Sequence, residues 1–478
     1  MTSSEGRAAL LPAGIGRGEG RFILVLGAGT TGLGVALSLA KAGVRVLVID
    51  EARIKAEQKA KFADSKIELL DEFRVEAGSE RLSKALFAIS SPGIKLESGL
   101  LNSIKNLNIE VISELDWACA FLGRPEVAVT GTNGKTTTVS LIYKLLLAAG
   151  ENAKLLGNIG EPLSAAISAE IYNGQQKRDY SLVCEISSFQ LAHAEEFASH
   201  VGVWLNLEDD HNEWHGSFQD YATAKTKITS GQGKEDYLVI NVDDKNSSDV
   251  IKKSNAQIIF VGVRDSVVEE VENSCFYFRD SKLIVYSVGG KRIEFSTEKW
   301  RPRGEHNKIN LCAAIASVLL LGVAKGVIED VIATFVLSAH RIALVPSDDG
   351  KVYIDDSKGT NVSAVVAAMK TVFEDFPKSS IVLILGGVDK DGSWQPVADL
   401  LDQRVKKVVC CGGDGPKIYK ALAACSPLLV VDLPQAVKAA KDILEKGDVL
   451  LFSPGCSSFD AYSGYAQRGE HFCQLVRQ

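Results

Sequence analysis

Short apolar segments alternate with longer segments of helical periodicity along most of the chain, and Gly, Asn and Asp mark many of the boundaries. Apolar runs bounded by turn residues predict buried strands, and strands that alternate with helices predict parallel sheets covered on both faces. The pattern therefore predicts an α/β protein. In the last third of the chain it predicts strands at Val352–Ile354, Ile381–Leu385, Lys407–Cys411, Leu428–Val431 and Val449–Phe452.

The first twenty residues lack this alternation. They are rich in Gly and other small residues, and their apolar run at 8–13 is too short for the core of a signal peptide. We predict that 1–20 forms a flexible tail. The chain of 478 residues is too long for one hydrophobic core, and the motifs described below predict three domains, at 21–113, 114–339 and 340–478.

The first domain begins with a dinucleotide-binding pattern. A strand at Arg21–Leu26 is followed by the GxGxxG turn Gly27–Gly32, a helix, a second strand at Arg45–Ile49 and then Asp50. This order is typical of a Rossmann-like domain, in which the turn holds a diphosphate and the acidic residue a ribose. Three interpretations remain open: NAD, another nucleotide-linked ligand, or a purely structural turn. A second phosphate loop farther along the chain favours the nucleotide-linked ligand, because dehydrogenases have no use for one.

That second loop, Gly131–Thr137, lies between a strand predicted at 126–130 and a helix predicted at about 137–149. Strand, Gly-rich turn and helix N-terminus direct several backbone N–H groups at one point, which suits a phosphate. Lys135 adds a charge for the outer phosphates, and the Thr136 hydroxyl can bind Mg²⁺. The spacing departs from the usual motif, since Val129 stands where its first Gly would be. The alternative is a chance Gly-Lys-Thr sequence, but the context favours a site for a nucleoside triphosphate.

Composition narrows the class of protein. Hydrophobic residues make up 46% of the chain and charged residues 24%, as in ordinary globular enzymes. The net charge of −7 argues against a general nucleic-acid binder. The nine cysteines form no CxxC pair, and no apolar run is long enough to span a bilayer. We therefore expect a cytoplasmic enzyme with reduced thiols and no membrane insertion.

Three further residues carry candidate chemistry. Glu185 ends an apolar strand, where a carboxylate needs a partner such as Mg²⁺. His211 follows two aspartates and could be a metal ligand, a general acid or base, or a turn residue. Lys225 lies on a predicted helix, and composition alone favours a solvated charge there.

Together these motifs resemble those of the ATP-dependent Mur ligases, cytoplasmic amide-forming enzymes of peptidoglycan synthesis that are related to folylpolyglutamate synthetase. The resemblance rests on Gly131–Thr137, Glu185–Gln190, Asp210-His211 and Gly304–Asn307. The Rossmann-like first domain and four further segments are most similar to the members that add D-glutamate. These segments are Ser91–Ile94, Gly157–Gly160, Asp356–Asn361 and Ser453–Asp460.

The resemblance implies a three-domain fold: a Rossmann-like N-terminal domain, a central P-loop ATPase domain with a mostly parallel sheet, and a Rossmann-like C-terminal domain. It implies that ATP phosphorylates the carboxylate of UDP-N-acetylmuramoyl-L-alanine and that D-glutamate then displaces phosphate. Lys135 would neutralise charge during transfer, and two Mg²⁺ ions would take part. Thr136 and Glu185 match the ligands of the first ion and His211 that of the second. Lys225 matches the family's carbamylated lysine. The resemblance therefore implies a catalytic role for Lys225 in place of a solvated charge.

The remaining contacts are carried over position by position. The ATP-binding set is Gly131, Thr132, Asn133, Gly134, Lys135, Thr136, Thr137, Asn307, Asn310, Arg341 and Asp356. The set for the UDP-linked substrate is Thr30, Thr31, Asp50, Ser91 and Asn158. The amino-acid set is Lys358, Thr360, Lys390, Ser458, Phe459 and Tyr465, and Ser457-Ser458 is expected to begin a helix that favours an anion.

Two positions depart from the family pattern. Ala343 stands where relatives carry an acidic residue or Gln, and Ala52 stands where some carry Arg. The main alternatives are a relative that adds a different amino acid or lengthens folate, and a regulatory module with a degenerate ATPase. The chain has no Asp-Asn-Pro-Arg-like motif, which argues against a diamino-acid ligase. Evidence against a degenerate ATPase is that these residues are intact: Lys135, Thr136, Glu185, His211 and Lys225. We expect a monomer that binds these small substrates and no nucleic acid.

Overall fold

The structure is a computed structural model that describes residues 20–64, 66–72, 79–265, 272–390 and 392–478. The predicted tail at 1–20 lies outside the described residues except for Gly20. The described residues form two compact units. The first unit is drawn from Met1–Asn206, Ala222–Ser296 and Leu311–Val331, and the second from Leu207–Tyr221, Thr297–Asn310 and Ile332–Gln478.

The first unit contains a five-stranded parallel sheet that confirms the Rossmann-like reading of the N-terminal segment. Its strand order is β3-β2-β1-β4-β5, so the order reverses between β1 and β4. Leu24, Leu26 and Ile49 belong to a core packed against the helices. The strands are β1 (Phe22–Leu26), β2 (Val46–Ile49), β3 (Ile67–Leu70), β4 (Ala85–Ser90) and β5 (Val111–Ser113), and the helices are α1 (Thr30–Lys41), α2 (Ala56–Lys59), α3 (Ser79–Leu82) and α4 (Gly99–Asn106).

The same unit contains a nine-stranded sheet with the order β14-β13-β12-β11-β10-β9-β6-β8-β7. Pairing is parallel from β7 to β12, whereas β12, β13 and β14 are antiparallel and extend the edge. The strands are β6 (Val127–Thr130), β7 (Ala153–Gly157), β8 (Ser181–Glu185), β9 (Val201–Trp204), β10 (Tyr237–Asn241), β11 (Gln257–Arg264), β12 (Ser274–Phe278), β13 (Leu283–Val288) and β14 (Lys291–Ser296).

Nine helices lie among the described residues of this part of the chain, and three of them, α10, α12 and α13, have residues in both units. They are α5 (Glu114–Leu122), α6 (Lys135–Ala148), α7 (Ala169–Tyr172), α8 (Ser188–His193), α9 (Asn212–His215), α10 (Phe218–Thr226), α11 (Ser247–Lys253), α12 (Glu305–Leu320) and α13 (Lys325–Thr334). Among the described residues, we find no helix that combines the length and the apolar character needed to cross a membrane.

The second unit is built on a six-stranded sheet with the order β15-β16-β20-β17-β18-β19. It is parallel except for β15, which pairs antiparallel with β16. The strands are β15 (Ala343–Val345), β16 (Val352–Asp355), β17 (Ile381–Gly386), β18 (Val405–Cys411), β19 (Leu428–Leu429) and β20 (Val449–Phe452), and the helices are α14 (Val362–Asp375), α15 (Gln395–Ala398), α16 (Gly415–Ala421), α17 (Leu433–Ile443) and α18 (Tyr465–Arg477).

The five strands predicted in this part of the chain are all present, although Leu428–Val431 is shortened to Leu428–Leu429. The central strands β17 and β20 are buried along their whole length because helices cover both faces of the sheet. Their continuous apolar runs follow from that burial. The fold is therefore α/β with mostly parallel sheets.

Candidate active site

Four neighbouring strands of the nine-stranded sheet end at one edge and bring most of the predicted catalytic residues of the first unit together. In spatial order, β9, β6, β8 and β7 end at Trp204, Thr130, Glu185 and Gly157. In open α/β sheets, ligands bind beyond the carboxyl ends of parallel strands. This edge is therefore the expected place for a nucleotide.

The phosphate loop joins β6 to α6 at this edge. Gly134 has a φ of +86° and directly precedes the helix, a conformation that a residue with a side chain adopts at a cost. The Lys135 ammonium donates hydrogen bonds to the carbonyl oxygens of Gly131, at 2.7 Å, and Thr132, at 2.9 Å. Lys135, Thr136 and Thr137 form the first turn of α6, where backbone N–H groups have no helical acceptor. The loop thus combines N–H donors with a cation, the arrangement that binds phosphate groups.

Asn206, which sequence analysis did not identify, clamps this loop. Its side-chain oxygen accepts a hydrogen bond from the Asn133 N–H at 2.8 Å, and its side-chain amide donates to the Asn133 carbonyl at 3.1 Å. Its backbone carbonyl accepts from the Thr132 N–H at 3.0 Å. Asn206 therefore fixes the loop from the end of the neighbouring strand β9. The sequence offers no signal for this role beyond a polar residue after an apolar strand.

Glu185 lies beside the loop with one carboxylate oxygen engaged and one without a partner. It is 3% exposed. Its Oε1 accepts a hydrogen bond from the Asn158 side-chain amide at 2.9 Å, whereas its Oε2 is buried and has no hydrogen-bond partner. A buried unpaired carboxylate oxygen is costly, and a cation is its usual compensation. The Glu185 Oε2 is therefore an oxygen of the kind that Mg²⁺ prefers.

Asn158 was predicted to contact the UDP-linked substrate, and its contact with Glu185 supports a further role in metal binding. Asn158→Ala is expected to raise the Mg²⁺ concentration at half-maximal activity by about 10- to 100-fold, the usual effect of losing a partner that orients a metal ligand. Activity titrated with Mg²⁺ measures this. Asn152→Ala, a change at the opposite ends of the strands, is the control. An unchanged Mg²⁺ requirement in Asn158→Ala would contradict the role.

Lys225 is buried, so the composition-based expectation of a solvated charge is wrong. The side chain is 1% exposed, and its Nζ donates to the Gly131 carbonyl oxygen at 2.8 Å. Helix α10 packs this residue, together with the buried Tyr221 and Ala224, towards the interior. The structure therefore places Lys225 at the first residue of the phosphate loop.

At the five-stranded sheet, the residues predicted for the UDP-linked substrate gather where the strand order reverses. Thr30 and Thr31 lie in the Gly27–Gly32 segment and are the first two residues of α1. Ser91 follows β4, and its Oγ lies 3.5 Å from the Gly27 carbonyl oxygen. The Asp50 carboxylate accepts hydrogen bonds from the N–H groups of Ala28 and Ala52, both at 2.8 Å. Asp50 thus orders the turn itself, in addition to any contact with a ligand.

In the second unit, Asp210 joins two residues that are distant in sequence. Its Oδ1 lies 3.1 Å from the Lys390 ammonium, and its Oδ2 accepts from the Asn361 side-chain amide at 3.1 Å. Burial raises the pKa of Asp210, but the charges of Lys390 and His211 and these hydrogen bonds outweigh it, so the pKa lies below its ordinary value. Asp210, Asn361 and Lys390 line a small cleft, together with Asp209, Asn212, Val362, Asp389, Gly392 and Gly455.

His211 has a strained backbone. Its φ of +59° lies in the left-handed region, which residues other than Gly rarely adopt. Its Nε2 lies 3.7 Å from Asp210 Oδ2 and its Nδ1 3.6 Å from Glu213 Oε1. The side chain is partly exposed and flanked by carboxylates. Strain of this kind is often found at functional sites, and the imidazole between two carboxylates suits either a metal ligand or a proton carrier.

Asp356 is a buried carboxyl group at the end of β16. It accepts hydrogen bonds from the Ser453 hydroxyl at 2.7 Å and from the Ile342 N–H at 3.2 Å. Burial raises the pKa of Asp356 from 3.8 to about 7, against the lowering effect of Ser453 and of the Arg341 charge. Arg341 donates to the Ser338 hydroxyl at 3.3 Å. Asp356 thus changes charge near neutral pH.

A pH dependence of stability follows from Asp356. Because its folded-state pKa of about 7 lies above the ordinary value of 3.8, the proton contributes stability below about pH 4 that is lost as the pH rises towards 7. Relative to Asp356→Asn, the free energy of unfolding of the wild type should fall by about 1.4 kcal/mol per pH unit within this window. Urea unfolding of both proteins between about pH 5 and 8 measures the difference. Parallel curves would contradict the expectation.

The two asparagines predicted to contact the nucleotide lie one turn apart on α12 and are both buried. The Asn307 amide donates to the Arg303 carbonyl at 2.6 Å, and the Asn310 amide donates to Asn307 Oδ1 at 3.3 Å. Burial and the charge of Arg341 lower the pKa of the neighbouring His306 to about 4, so its imidazole is neutral. The start of α12 therefore offers neutral amides and an uncharged ring, which suit a purine or ribose.

The predicted amino-acid residues lie on loops after β16, β17 and β20, except Tyr465, which begins α18. The Lys358 ammonium is 4.8 Å from the centre of the Tyr465 ring, and Thr360 is partly buried two residues on. Ser458 is buried, whereas Phe459 is 75% exposed. The Phe459 side chain is therefore mostly open to solvent.

The helix expected at Ser457-Ser458 is absent, and this expectation is wrong. Ser457 and Val388 exchange two backbone hydrogen bonds of 2.9 Å in a β-bridge, which holds Ser457 in an extended pairing. The next helix, α18, begins only at Tyr465. An anion at this loop would therefore meet the Ser458 region without a helix N-terminus.

One cluster in the second unit was not predicted from the sequence. The Asp355 carboxylate lies 2.6 Å from His340 Nδ1 and 3.5 Å from Cys473 Sγ. A Cβ on Gly469 would approach the His340 ring to 2.1 Å, so the absence of a side chain there lets the ring pack on α18. The cluster ties the segment before β15 to the C-terminal helix. No sequence pattern relates these positions.

Three segments of the chain match profiles of known protein families. Residues 21–113 match the family profile of the Mur ligase MurD-like N-terminal domain. Residues 129–318 match that of the Mur ligase middle domain, and residues 340–456 that of the Mur ligase glutamate ligase domain. The three profiles occur in this order and together span most of the chain.

Relatives of nearly equal length carry one name. The chain is 36% identical over 465 residues to the UDP-N-acetylmuramoylalanine--D-glutamate ligase of Syntrophus aciditrophicus, covering 96% of this chain and 98% of that protein. It is 32% identical over 461 residues to the ligase of the same name from Christiangramia forsetii, with 96% and 99% covered. Among solved structures, MurF from Acinetobacter baumannii superposes with a TM-score of 0.59 at 15% identity, covering 95% of this chain and 93% of that one. This last likeness concerns the fold alone.

Proposed function

The chain belongs to the Mur ligase family, and we propose that it joins D-glutamate to UDP-N-acetylmuramoyl-L-alanine in a reaction driven by ATP, as part of peptidoglycan precursor synthesis. The observation that carries the ligase chemistry is the phosphate loop beside the buried Glu185, whose Oε2 has no partner. The specificity for D-glutamate follows the relatives that share about a third of the sequence over nearly the whole chain.

In the first half-reaction, the L-alanyl carboxylate attacks the terminal phosphorus of ATP and forms an acyl phosphate and ADP. The backbone N–H groups of Gly131–Thr137 hold the phosphates, and Lys135 exchanges its carbonyl partners for phosphate oxygens. Phosphoryl transfer depends mostly on positioning and charge neutralisation. Thr136 and Glu185 are proposed to hold Mg²⁺, which neutralises phosphate charge when it is bound.

In the second half-reaction, the amino group of D-glutamate attacks the acyl carbon, and the tetrahedral intermediate releases phosphate. D-Glutamate carries two carboxylates, which require donors. Lys358, Thr360, Lys390 and Ser458 are proposed to supply them, with Tyr465 as a neighbouring ring. In this structure Lys390 pairs with Asp210, and we propose that it shares its charge with a substrate carboxylate when D-glutamate binds.

The UDP end of the acceptor is proposed to bind where the order of the five-stranded sheet reverses. Thr30, Thr31 and Ser91 place hydroxyl groups at the Gly-rich turn. The Asp50 carboxylate stabilises the turn by accepting a hydrogen bond from the Ala28 N–H. We propose a uridine diphosphate here and not NAD, because the relatives are named for a UDP-linked substrate and an ATP-dependent ligase needs no redox cofactor.

Six further residues complete the proposal. Asn307, Asn310 and Asp356 are proposed to contact the purine and ribose, and Arg341 the phosphates. His211 is proposed as a further metal ligand on the strength of the family resemblance. Lys225 is proposed to react with CO₂ as the neutral amine, forming a carbamate and releasing one proton. Its burial at the phosphate loop is compatible with an anion that orients Mg²⁺.

We further propose domains at 21–113, 114–339 and 340–478 that bind the UDP-linked substrate, ATP and the amino acid respectively. The same family membership supports a cytoplasmic location and action as a monomer. These proposals can be examined by limited proteolysis and by light scattering of the purified chain.

The decisive experiment is phosphate release with UDP-N-acetylmuramoyl-L-alanine and ATP across a panel of amino acids. Release is expected to require D-glutamate, because the anchoring residues suit a dicarboxylate and the relatives are named as D-glutamate ligases. L-Glutamate, L-lysine, diaminopimelate and D-alanine are the controls. If any of them matched D-glutamate, the specificity assignment would be wrong, although the ligase chemistry would stand.

A further inference from the structure

Arg468, on the first turns of α18, has a buried guanidinium group that bonds to carbonyl oxygens. The residue is 3% exposed. Its Nη2 donates to the carbonyl oxygens of Ser357 and Cys456, both at 3.0 Å, and its Nη1 lies 3.4 Å from that of Gly386. None of the ion pairs among the described residues includes Arg468, and its Nε has no hydrogen-bond partner. Burying a guanidinium without an ion pair costs free energy, which suggests that Arg468 has a specific role.

The three acceptors belong to three different loops. Ser357 follows β16, Gly386 ends β17 and Cys456 follows β20, and these strands are neighbours in the order β16-β20-β17. The loops carry the residues proposed to bind D-glutamate: Lys358 next to Ser357, Lys390 after Gly386, and Ser458 after Cys456. Arg468 therefore contacts each of these loops within a few residues of a proposed ligand.

The loops are also bonded to one another. The Gly455 N–H donates to the Gly359 carbonyl at 2.8 Å, and Val388 and Ser457 exchange two bonds of 2.9 Å. A Cβ on Gly387 would come within 2.1 Å of the Ser457 carbonyl oxygen and 3.0 Å of Arg468 Nη1. The loops and the guanidinium thus pack at close quarters, so a displacement of one loop is transmitted to the others.

The chemistry of the side chain suits this task. A guanidinium is planar and presents its N–H groups in a fixed fork, whereas an ammonium is a compact point donor on a flexible stem. Charge-assisted hydrogen bonds to three carbonyl oxygens are satisfied together in only one relative placement of the loops. Lysine at this position would keep the charge but could not reach all three acceptors in the same plane.

Two neighbouring residues of α18 contact one of these loops and the segment before β15. Tyr465, three residues before Arg468, lies under the Lys358 ammonium. Gly469 packs against the His340 ring. Residues three and four apart on a helix share a face. The first two turns of α18 therefore form one surface on which these loops are seated.

We propose that Arg468 is a positioning residue for the amino-acid substrate: it sets the spacing of the three loops that carry Lys358, Lys390 and Ser458. The inference rests on the proposed function, since these residues are taken to bind D-glutamate. Arg468 acts through the loops and makes no contact with the reacting atoms. Its loss should therefore weaken amino-acid binding most, while leaving the UDP site intact.

The test is Arg468→Lys, with steady-state kinetics for each of the three substrates. The KM for D-glutamate is expected to rise about 10- to 100-fold, the scale of a small misplacement of binding groups. The KM for UDP-N-acetylmuramoyl-L-alanine should stay within about twofold of the wild type, since none of the residues proposed to bind it lies on these loops. The KM for ATP should rise less than that for D-glutamate, since Asp356, next to Ser357, is only one of the proposed nucleotide contacts. Arg477→Lys, an exposed position near the end of the same helix, is the matched control.

Thermal unfolding separates positioning from folding. If Arg468→Lys folds and its KM for D-glutamate is unchanged, or if all three KM values rise equally, the proposal is overturned. Hydrogen exchange of the wild type, with and without D-glutamate, provides a second test that needs no variant. The amides of 357–360, 386–390 and 456–458 should gain protection together, and protection of one loop alone would also overturn the proposal.

The design distinguishes this inference from the proposed function. If the wild type uses another amino acid, the assignment of D-glutamate fails, and the same kinetic comparison with that amino acid still tests Arg468. If the wild type uses D-glutamate and Arg468→Lys binds it normally, only the positioning role fails.

Discussion

Lys135→Ala is expected to lose at least 10²- to 10³-fold in kcat, the usual cost of removing one preorganised group that stabilises transition-state charge. The Lys135 ammonium is held over the loop by the carbonyl oxygens of Gly131 and Thr132. It therefore already lies at the loop that is proposed to hold the transferring phosphoryl group. Phosphate release under saturating substrates measures the loss.

The control for this change lies on the same helix. Lys144→Ala removes an exposed lysine from α6 and should leave kcat within about twofold of the wild type, as surface substitutions usually do. Thermal unfolding should show that both variants are folded. Near-normal turnover of Lys135→Ala would mean that Gly131–Thr137 is not the catalytic loop, and the proposed function would then lose the observation that carries it.

Much of the fold could be predicted because its signals are local. The runs Val127–Thr130 and Val449–Phe452 are apolar throughout, and a strand buried on both faces produces that pattern whatever its neighbours are. The Gly-rich turn before α1 and the loop before α6 are likewise short segments with turn chemistry of their own. The antiparallel extension β12–β14 was not predicted, because alternation alone does not give the direction of pairing.

The contacts of the candidate site were harder to predict, because they join residues far apart in sequence. Asp210 and Lys390 are 180 positions apart, and Asn133 and Asn206 are 73 apart. Neither pair has a spacing that a single sequence could reveal. The burial of Lys225 was also not predictable, since the periodicity of α10 does not show that the lysine faces the phosphate loop.

The wrong prediction of a helix at Ser457-Ser458 has a different cause. Two serines after a strand are a reasonable helix start, because Ser is a good N-cap. Ser457 instead pairs with Val388, and Gly464 separates the turn from α18. Tertiary pairing therefore overrode local capping preference at this loop. The correction bears on function, because the amino-acid carboxylates lose a helix N-terminus and depend more on side-chain donors.

Lys225→Ala is expected to lose most activity, on the order of 10²-fold or more if the lysine acts through a carbamate that orients the metal. The side chain is buried and reaches the Gly131 carbonyl at 2.8 Å. Alanine leaves space at this point, so small carboxylic acids such as acetate or propionate should restore part of the activity by replacing the carbamate. Bicarbonate depletion of the wild type should slow the recovery of activity on reconstitution.

Lys227→Ala is the matched control for this prediction. Lys227 also donates to backbone carbonyl oxygens, those of Ala192 at 2.8 Å and Ala194 at 2.9 Å, but it lies two residues away from Lys225. Its replacement should lower thermal stability without producing an enzyme that carboxylic acids rescue. If Lys225→Ala behaves in the same way, with lower stability and no rescue, Lys225 is a structural ammonium that ties α10 to the phosphate loop. Rescue confined to Lys225→Ala requires an anion at this position, which an unmodified lysine cannot supply.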